Sequence, residues 1–344
     1  MLIASGNTLF LRRAQPHDRA RVYAWLAESD LTPSSFGPPL YPERPAPSPE
    51  DFGERYLPHY FDGTRPFDGR AFLLRAGEED VGCLVHHAVD LYRDAVELEL
   101  WLAQARHCGK GYGSEAVTLA CEWLQDNLGV NRFLLRPSRR NVRALRAMRR
   151  AGFRETDLPQ AQVLQRLALE NATYDDVVPL LRMLPPPGVL LERAAGQTYV
   201  FVDSEFTSLH EPRLISVGAV ATDATSFYCE LSDWPPEHCS EFVRNTVLPL
   251  LDGDAVPHPV AAAAFRRWIG AKVVRGPTVI VSDSGFDRWA LADLLASEDL
   301  PPGTRWLRLP VAYEVLDETA AALGLRRHHA LDDARALRHA ALNP

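Results

Sequence analysis

The sequence predicts two α/β domains joined by a proline-rich connector, and three observations support this division. Consecutive prolines occupy positions 185–187 and Gly188 follows them, so neither a helix nor a central strand can continue through this segment. On each side, short apolar segments typical of buried strands alternate with segments of helical periodicity. The 344 residues are enough for two cores of ordinary size. We therefore expect one domain over residues 1–184, a connector over 185–196 and a second domain over 197–344.

Composition excludes several classes of protein. Hydrophobic residues make up 46% of the chain and charged residues 24%, as in soluble globular proteins. No apolar run approaches the ~20 residues that a bilayer requires, and residues 1–13 lack a basic region followed by a cleavage site. The five cysteines form no C-x-x-C pair, which argues against a disulfide framework and a cysteine zinc site. We expect a cytoplasmic protein with no membrane partner.

Charge is unevenly distributed between the two halves of the chain. Residues 1–184 hold 23 Lys and Arg against 24 Asp and Glu, whereas residues 185–344 hold 14 against 21, a net charge of −7. An acidic second half is a poor match for a protein that binds nucleic acid through a broad basic surface. It suits a compact site whose carboxylates hold divalent cations, because a bound cation reverses the local charge.

The first domain contains a glycine-rich segment between a strand and a helix. Residues 97–102 alternate polar and apolar side chains, which predicts a half-buried strand. Residues 114–128 have helical periodicity, and Gly129 follows as a stop signal. The glycines between these elements permit positive φ angles and a close approach of backbone N–H groups to a ligand, and they are Gly109, Gly111 and Gly113. Beside a helix N-terminus, such a loop is an anion site suited to a pyrophosphate.

A loop-rich insertion is expected earlier in the first domain. Residues 33–49 contain seven prolines, and an aromatic segment follows at 52–67. Because no core-sized pattern precedes them, we interpret both stretches as an insertion within the domain and not as a boundary. Downstream of the glycine-rich loop, residues 132–137 predict a further strand.

The motifs of the first domain resemble those of the GNAT acetyltransferase superfamily. The segment Arg106-x-x-Gly109-x-Gly111 is similar to its coenzyme A loop, residues 141–153 resemble its Asn-helix-Gly-Phe element, and residues 11–18 are similar to its first strand. The resemblance implies a GNAT acyltransferase fold that binds acetyl-CoA. The residues it assigns to cofactor binding are Arg106, Gly109, Lys110, Gly111, Tyr112, Gly113 and Asn141.

The chemistry implied for the first domain is acetyl transfer to an unknown amine. The amine attacks the thioester directly, helped by a base and by a proton donor for the thiolate. A tyrosine often serves as that donor where this chain has Met148, which cannot donate a proton. Another donor, water included, must then act, or the domain binds acetyl-CoA only as a regulator or scaffold. Glu99, before Trp101, is the candidate base, as in similar enzymes that acetylate aminoglycosides or polyamines; solvent-facing Glu97 and Glu99 would give the same pattern.

The second domain begins with a strand that ends in two acidic residues. The apolar, β-branched run at 199–202 predicts a buried strand, and Asp203 and Glu205 follow it. Residues two apart on a strand point to the same side, so both carboxylates can reach one metal site. A second apolar strand at 214–220 is expected to form a hairpin with the first.

Further acidic residues follow a later strand and open the last helix. The apolar strand at 277–281 precedes Asp283 and Asp287, and the spacing to the next helix favours Asp287 as the ligand over Asp283. A capping role is the ordinary alternative for Asp287. His328 and Asp333 lie five residues apart across a loop-to-helix junction, which can bring an imidazole and a carboxylate to one metal centre. Considered alone, such a histidine is also a common surface residue.

Together, the three acidic segments resemble the DEDDh 3′–5′ exonucleases, and most of all the mycobacterial-type exoribonucleases. This resemblance implies a ribonuclease-H-like α/β fold with a mixed sheet. It assigns His328 as the base for the attacking water, in preference to His329. The implied cofactors are two Mg²⁺ or Mn²⁺ ions, which prefer oxygen ligands, held by Asp203, Glu205, Asp287 and Asp333.

The two resemblances imply a bifunctional α/β (α+β) protein. Its expected partners are acetyl-CoA, an amine acceptor and the 3′ end of a single-stranded nucleic acid, with RNA favoured. The nuclease would release nucleoside 5′-monophosphates. The alternatives are a nuclease regulated by a non-catalytic acetyl-CoA domain, and an RNA-binding module that serves the acetyltransferase.

Overall fold

The computed structural model divides the chain into two compact units, Met1–Pro186 and Pro187–Pro344. Most of the predicted connector at 185–196 lies outside the described residues. The structure describes residues 2–33, 45–156, 176–185, 196–209, 211–297 and 299–343. Each unit has its own mixed β-sheet, so the prediction of mixed α/β architecture is confirmed.

The strands described in the N-terminal unit form one sheet. They are β1 (Leu2–Ser5), β2 (Phe10–Arg13), β3 (Arg70–Ala76), β4 (Glu79–His86), β5 (Ala95–Leu102), β6 (Arg132–Leu135), β7 (Arg154–Glu155) and β8 (Leu180–Met183). Their spatial order is β1-β2-β3-β4-β5-β6-β8-β7. Neighbouring strands are antiparallel apart from β5 and β6, which are parallel.

The parallel strands β5 and β6 pair over only part of their length. Residues 95–97 of β5 pair with residues 132–134 of β6. Strand β5 then continues to Leu102 without a partner on that side among the described residues. Because the glycine-rich loop follows β5 directly, it begins beside this opening in the sheet.

The helices of the N-terminal unit are α1 (Arg19–Ala27), α2 (Pro49–Arg55), α3 (His59–Asp62), α4 (Tyr112–Leu128) and α5 (Val142–Arg150). Apolar side chains of the first three helices pack against residues of β3 and β4 in a buried cluster. The fourth and fifth helices follow the glycine-rich loop and β6. The predicted end of α4 is confirmed, because Gly129 adopts a left-handed conformation with φ 73° immediately after Leu128.

The interpretation of residues 52–67 as part of a loop-rich insertion is wrong for much of that segment. Helix α2 begins at Pro49, after Ser48, whose hydroxyl accepts a hydrogen bond from the backbone N–H of Asp51. The Asp51 carboxylate accepts one from the backbone N–H of Ser48 in return. This reciprocal cap and the proline in the first turn are signals of a helix start that outweigh the proline-rich surroundings. The proline-rich residues 34–44 lie outside the described residues.

The C-terminal unit contains a six-stranded mixed sheet and four longer helices among its described residues. The strands are β9 (Thr198–Phe206), β10 (Leu214–Ala221), β11 (Ser226–Leu231), β12 (Ala255–Val256), β13 (Thr278–Ser282) and β14 (Thr304–Arg308). The helices are α6 (His258–Val273), α7 (Gly285–Leu295), α8 (Tyr313–Leu323) and α9 (Ala330–Leu342). The spatial order of the strands is β12-β11-β10-β9-β13-β14.

Strand β9 is the junction between the antiparallel and parallel parts of this sheet. It pairs antiparallel with β10, as the predicted hairpin requires, and parallel with β13. One buried cluster joins Val200 and Val202 of β9 to helices α6 and α7. A second joins Tyr199 and Phe201 to helices α8 and α9. The alternating residues of β9 therefore face two helical layers, one on each side of the sheet.

No helix in the described part of the chain is both long and apolar enough to cross a membrane.

Candidate functional sites

Acidic side chains of the C-terminal unit converge where β9 and β13 end. These two strands are parallel neighbours, so their carboxyl ends lie at the same edge of the sheet. Asp203 and Glu205 occupy the last residues of β9. Asp283 follows β13 directly, and Asp287 lies in the first turn of α7. Helix α9 packs on the face of the sheet opposite to α7, and it contributes Asp333.

One group of possible ligands consists of Asp203, Asp283 and Asp287, each of which offers an oxygen within 4.8 Å of the others. The Ser204 hydroxyl donates a 2.7 Å hydrogen bond to Asp287 Oδ1, and the Ser284 hydroxyl donates a 2.9 Å bond to Asp287 Oδ2. These bonds fix the orientation of the Asp287 carboxylate. The sequence favoured Asp287 over Asp283, whereas the structure brings both carboxylates into one cluster.

A second group consists of Glu205, His328 and Asp333, whose ligand atoms also lie within 4.8 Å of one another. The backbone N–H of His328 donates a 2.9 Å hydrogen bond to Asp333 Oδ2. His328 has φ 66°, a left-handed conformation that is rare outside glycine and is found at functional sites. Its Nε2 lies 3.2 Å from the hydroxyl of Tyr313, and the Phe242 ring stands perpendicular to the imidazole at 5.0 Å.

Burial and mutual repulsion raise the pKa of these carboxylic acids. Burial first, and then the charges of Asp333 and Asp287, raise the pKa of Glu205 to about 8. Burial and the Asp283 charge raise the pKa of Asp287 to about 8. The pKa is also raised, mainly by burial, at Asp203, Asp283 and Asp333. Such a cluster holds protons at neutral pH, and a divalent cation would displace them.

The adjacent histidines His328 and His329 have different surroundings. Arg327 Nη1 lies 2.6 Å from Asp333 Oδ1, so the cluster already contains one positive charge. His329 has a fully buried side chain that stacks on Tyr228 with ring centroids 4.5 Å apart. His329 belongs to neither of the two groups of possible metal ligands. The five-residue offset therefore selected the histidine that the structure brings to the carboxylate cluster.

Gly218 allows the helix that carries Asp333 to approach the sheet. In β10 it pairs with Asp203 of β9. A Cβ atom at Gly218 would come within 3.0 Å of backbone atoms of Ala330 and Leu331, at the start of α9. The missing side chain thus lets the start of α9 lie directly over the strand that neighbours Asp203.

The glycine-rich loop of the N-terminal unit has the backbone conformation of an anion-binding turn. Gly109 has φ 77° and Gly111 has φ 88°, both in the left-handed region. A Cβ atom at either position would meet no atom within 4 Å, so this side of the loop is open. Helix α4 begins immediately after Gly111, and the N–H groups of its first turn have no acceptor within the helix. A diphosphate fits this arrangement of donors.

Other predicted cofactor residues differ in what their side chains do. Gly113 lies in the first turn of α4 and does not adopt the positive φ that a glycine permits; a Cβ there would make only ordinary contacts with Leu100 and Ala147. Arg106 forms a 2.5 Å ion pair with Glu79. The Asn141 side chain caps α5 by accepting a hydrogen bond from Ala144 N–H. Lys110 Nζ lies 6.0 Å from the centre of the Tyr112 ring.

Glu99 is held by three neighbouring side chains. Tyr56 donates a 2.7 Å hydrogen bond to Oε2, and Arg55 Nη2 lies 3.2 Å from both carboxylate oxygens. His87 Nε2 lies 3.2 Å from Oε2. These partners outweigh burial and lower the pKa of Glu99 to about 2. A carboxylate with so low a pKa is a weak proton acceptor.

Glu97 lies beside Glu99 but has a different partner. Its side chain accepts a 2.9 Å hydrogen bond from Arg136 Nε and is only 10% exposed. Burial raises its pKa, although Arg136 opposes this effect. The alternative of two solvent-facing carboxylates is therefore wrong for Glu97, because the sheet and Arg136 cover it.

Residues 8–154 match the acetyltransferase (GNAT) domain model. These residues form a GNAT domain. The match includes β2 to β5, the glycine-rich loop, helices α4 and α5, and the Glu99 cluster. It ends at residue 154 and does not reach the acidic cluster of the C-terminal unit.

Several solved acetyltransferase structures are similar to about half of this chain. AAC(6')-Ib in complex with ribostamycin and coenzyme A is 22% identical, covering 52% of this chain and 94% of that chain, with a TM-score of 0.38. Spermidine N-acetyltransferase from Vibrio cholerae, in complex with CoA and spermine, is 18% identical, covering 52% and 96%, with a TM-score of 0.39. A GNAT-family acetyltransferase from Bacillus anthracis is 16% identical, covering 53% and 98%, with a TM-score of 0.38. No curated protein matches the sequence.

The GNAT domain buries the residue that replaces the expected tyrosine. Met148 lies in α5 and is only 4% exposed. Its backbone carbonyl accepts a hydrogen bond from the N–H of Phe153. At this position the side chain contributes packing and no exchangeable proton.

Sequence reasoning missed the residues of the GNAT domain that surround Glu99. Arg55, Tyr56 and Tyr60 come from the segment interpreted as a loop-rich insertion, and His87 follows β4. The capping sequence that begins at Ser48 was the signal for α2, but nothing local connects that helix with β5. The contacts arise because α2 and α3 pack against the sheet.

Proposed function

We propose that the GNAT domain transfers an acetyl group from acetyl-CoA to an amine. The observation that carries this proposal is the loop from Gly109 to Gly111, open and left-handed, at the N-terminus of α4. Backbone N–H groups and the positive end of a helix suit the pyrophosphate of acetyl-CoA. The family match over residues 8–154 supports the same chemistry.

The opening between β5 and β6 supports a path for the reacting end of acetyl-CoA. Among the described residues, the pairing of β5 with β6 ends after residue 97, and the loop follows the part of β5 that is paired on the β4 side only. Bound acetyl-CoA supplies the acetyl group as a thioester. The β6-facing backbone of β5 beside the opening can orient that group, while Glu99 of the same strand contributes polar side chains together with its partners Tyr56 and His87. Proximity and orientation then contribute much of the rate.

Thiol release in the presence of acetyl-CoA and defined amines tests this proposal. We would measure steady-state turnover with spermidine, spermine, kanamycin and ribostamycin, and acetyl-CoA binding by calorimetry. The Gly111→Ala variant should bind acetyl-CoA more weakly because φ 88° strains any residue with a Cβ. Turnover of any of these amines supports the proposal, whereas binding without turnover of any amine favours the regulatory alternative.

We also propose that the C-terminal unit is a metal-dependent 3′–5′ exonuclease that prefers RNA. The observation that favours this second function is the convergence of Asp203, Glu205, Asp287 and Asp333, which would hold the ions, with His328 beside Glu205 and Asp333 at the same sheet edge. Carboxylate oxygens are the ligands that Mg²⁺ and Mn²⁺ prefer, so the donor set fits these ions. Two bound ions would activate water and stabilise the leaving 3′ oxygen. His328, neutral because burial lowers its pKa, is suited to accept the proton of the attacking water.

Degradation of a 5′-labelled single-stranded RNA with Mn²⁺ tests the nuclease proposal. We expect a ladder of products from the wild type and none from Asp203→Ala. Asp254→Ala is the matched control, because Asp254 is an exposed carboxylate of the same unit outside both ligand groups. Intact RNA with the wild type in both Mg²⁺ and Mn²⁺ would refute the nuclease. Retarded but undegraded RNA would instead favour the RNA-binding alternative.

A further inference from the structure

A chain of hydrogen bonds extends from Glu99 through His87 to Tyr60 in the GNAT domain. His87 Nε2 lies 3.2 Å from Glu99 Oε2, and His87 Nδ1 lies 3.1 Å from the Tyr60 hydroxyl. The His87 ring is also packed between aromatic rings, with centroids 6.5 Å from Tyr56 and 6.1 Å from Tyr60. The imidazole therefore has a defined position and two defined hydrogen-bond partners.

The neighbours of His87 determine where its proton lies. The Glu99 carboxylate is ionised and can only accept a hydrogen bond, so His87 Nε2 must carry the proton and donate it. The opposite nitrogen, Nδ1, then has a free lone pair that accepts the hydrogen bond of Tyr60. A carboxylate that holds one imidazole nitrogen and leaves the other basic is the arrangement that activates a hydroxyl group.

Glu99 itself is poorly placed to act as the base. Both of its oxygens are already contacted by Arg55, and Oε2 also accepts the Tyr56 hydroxyl hydrogen bond. An incoming amine would have to displace these groups. Tyr60 is only 6% exposed, and its hydroxyl oxygen donates its own hydrogen to His87 and keeps lone pairs for an N–H donor.

A glycine makes room for the Tyr60 ring. Gly69 has φ 141°, and a Cβ at this position would come within 3.0 Å of the Tyr60 ring and hydroxyl. The backbone carbonyl of Tyr60 accepts a 2.9 Å hydrogen bond from Arg70 Nη1. The side chain and backbone of Tyr60 are thus both held against the sheet that carries His87.

We propose that Tyr60, His87 and Glu99 form a proton relay that deprotonates the amine acceptor during acetyl transfer. The inference rests on the proposed acetyltransferase function. As the amine nitrogen bonds to the acetyl carbon and the carbon–sulfur bond breaks, the amine proton passes to the Tyr60 oxygen. Tyr60 passes its own hydrogen to His87 Nδ1, and Glu99 stabilises the resulting imidazolium. The imidazolium then returns a proton through Tyr60 to water, while the thiolate leaves with the sulfur electron pair. Tyr60 is the catalytic residue, and Glu99 is a positioning residue.

Nitrogen NMR of the histidine side chains tests the geometry of the relay without any acceptor. At pH 8 we expect His87 in the form protonated on Nε2, with its signals assigned by their loss in His87→Gln. Glu99→Gln should shift these signals, because the carboxylate that orients the ring is then gone. A His87 ring protonated on Nδ1 in the wild type would overturn the relay.

Turnover of the amines named above tests the chemistry. Tyr60→Phe should lower kcat about 100-fold, within the usual range for a positioned acid or base, while KM for acetyl-CoA stays within about threefold because the glycine loop is untouched. Tyr23→Phe is the matched control, since the Tyr23 hydroxyl donates to the Pro47 carbonyl and Tyr23 packs against the same buried cluster as Tyr60. Added imidazole should restore part of the activity of His87→Ala.

The outcomes separate the relay from the function on which it rests. If the wild type acetylates an amine and Tyr60→Phe is as active as Tyr23→Phe, the relay is wrong and the transferase stands. Failure of imidazole to restore any activity to folded His87→Ala also counts against the relay. If the wild type acetylates none of the amines, the proposed transferase function fails, and the relay fails with it.

Discussion

A single methyl group at Gly218 should disturb the acidic cluster from a position outside it. Gly218 pairs with Asp203, and a Cβ there would come within 3.0 Å of backbone atoms of Ala330 and Leu331. No rotamer change can relieve contacts with backbone atoms. Ordinary contact begins at 3.4 Å, so the start of α9 must retreat by at least about 0.4 Å in Gly218→Ala. Asp333 moves with the helix, away from Glu205.

The size of the effect follows from overpacking and from misalignment. Overpacking a dense core costs about 1–3 kcal/mol, which lowers Tm by roughly 2–4 °C for each kcal/mol in a unit of this size. A displacement of about 1 Å at a catalytic site costs about 100-fold in rate. We therefore expect nuclease turnover in Gly218→Ala to fall between about 10-fold and 100-fold, more than the loss of stability explains.

Calorimetric Mn²⁺ titration, thermal unfolding and RNA degradation would measure the consequences. Gly270→Ala is the matched control, because Gly270 lies inside α6 and a Cβ there would meet no atom within 4 Å. That variant should be as stable as the wild type or up to about 1 kcal/mol more stable. If Gly218→Ala binds Mn²⁺ and unfolds as Gly270→Ala does, the helix does not approach the strand as closely as we infer.

Three further predictions concern the two sites. Gly111→Ala should raise the Kd for acetyl-CoA, measured by calorimetry, about tenfold. Gly77→Ala is the control, because it strains a left-handed turn at φ 60° outside the glycine-rich loop and should leave this Kd unchanged. The raised pKa values of Glu205 and Asp287 let the folded unit keep protons that the unfolded chain has lost. The free energy of unfolding of the metal-free unit should therefore fall as pH rises from about 4 to 8. Saturating Mn²⁺ should therefore raise Tm more at pH 8 than at pH 6, and an equal rise in Tm at both pH values would contradict the assigned protonation. His328→Ala should lower nuclease turnover strongly with nearly unchanged Mn²⁺ affinity, and equal loss of both would show that the histidine is structural.

Local patterns determined much of the secondary structure. Alternation predicted β5, helical periodicity and Gly129 predicted the extent of α4 to within two residues at its start, and the apolar runs predicted β9, β10 and β13. These patterns succeed because strand and helix periods depend on neighbouring residues. They leave the conformation of Gly113 open, because a glycine permits positive φ without requiring it, and the structure shows that Gly113 is helical.

The sequence also predicted that the acidic residues lie at the ends of strands and the starts of helices, but it did not reveal which carboxylates lie close together. Asp283 joins Asp203 because β13 and β9 end at one edge, and the separation of Asp203 from Asp333 depends on the missing side chain of Gly218. Neither relation is visible in local spacing. Each depends on which strands become neighbours and how closely a helix packs on them.

By itself, the sequence determined the glycine loop, its helix and the order of the acidic segments, because these features are local in the chain. Only the tertiary structure decided the surroundings of Glu99. Its contacts with Tyr56 and His87 join residues 43 and 12 positions away, across packed layers. Those contacts lower the pKa of Glu99 and orient His87. Glu99, the base expected from the sequence, is therefore better suited to position His87. Such a change of role follows from burial and hydrogen bonding between distant segments, which residue spacing does not encode.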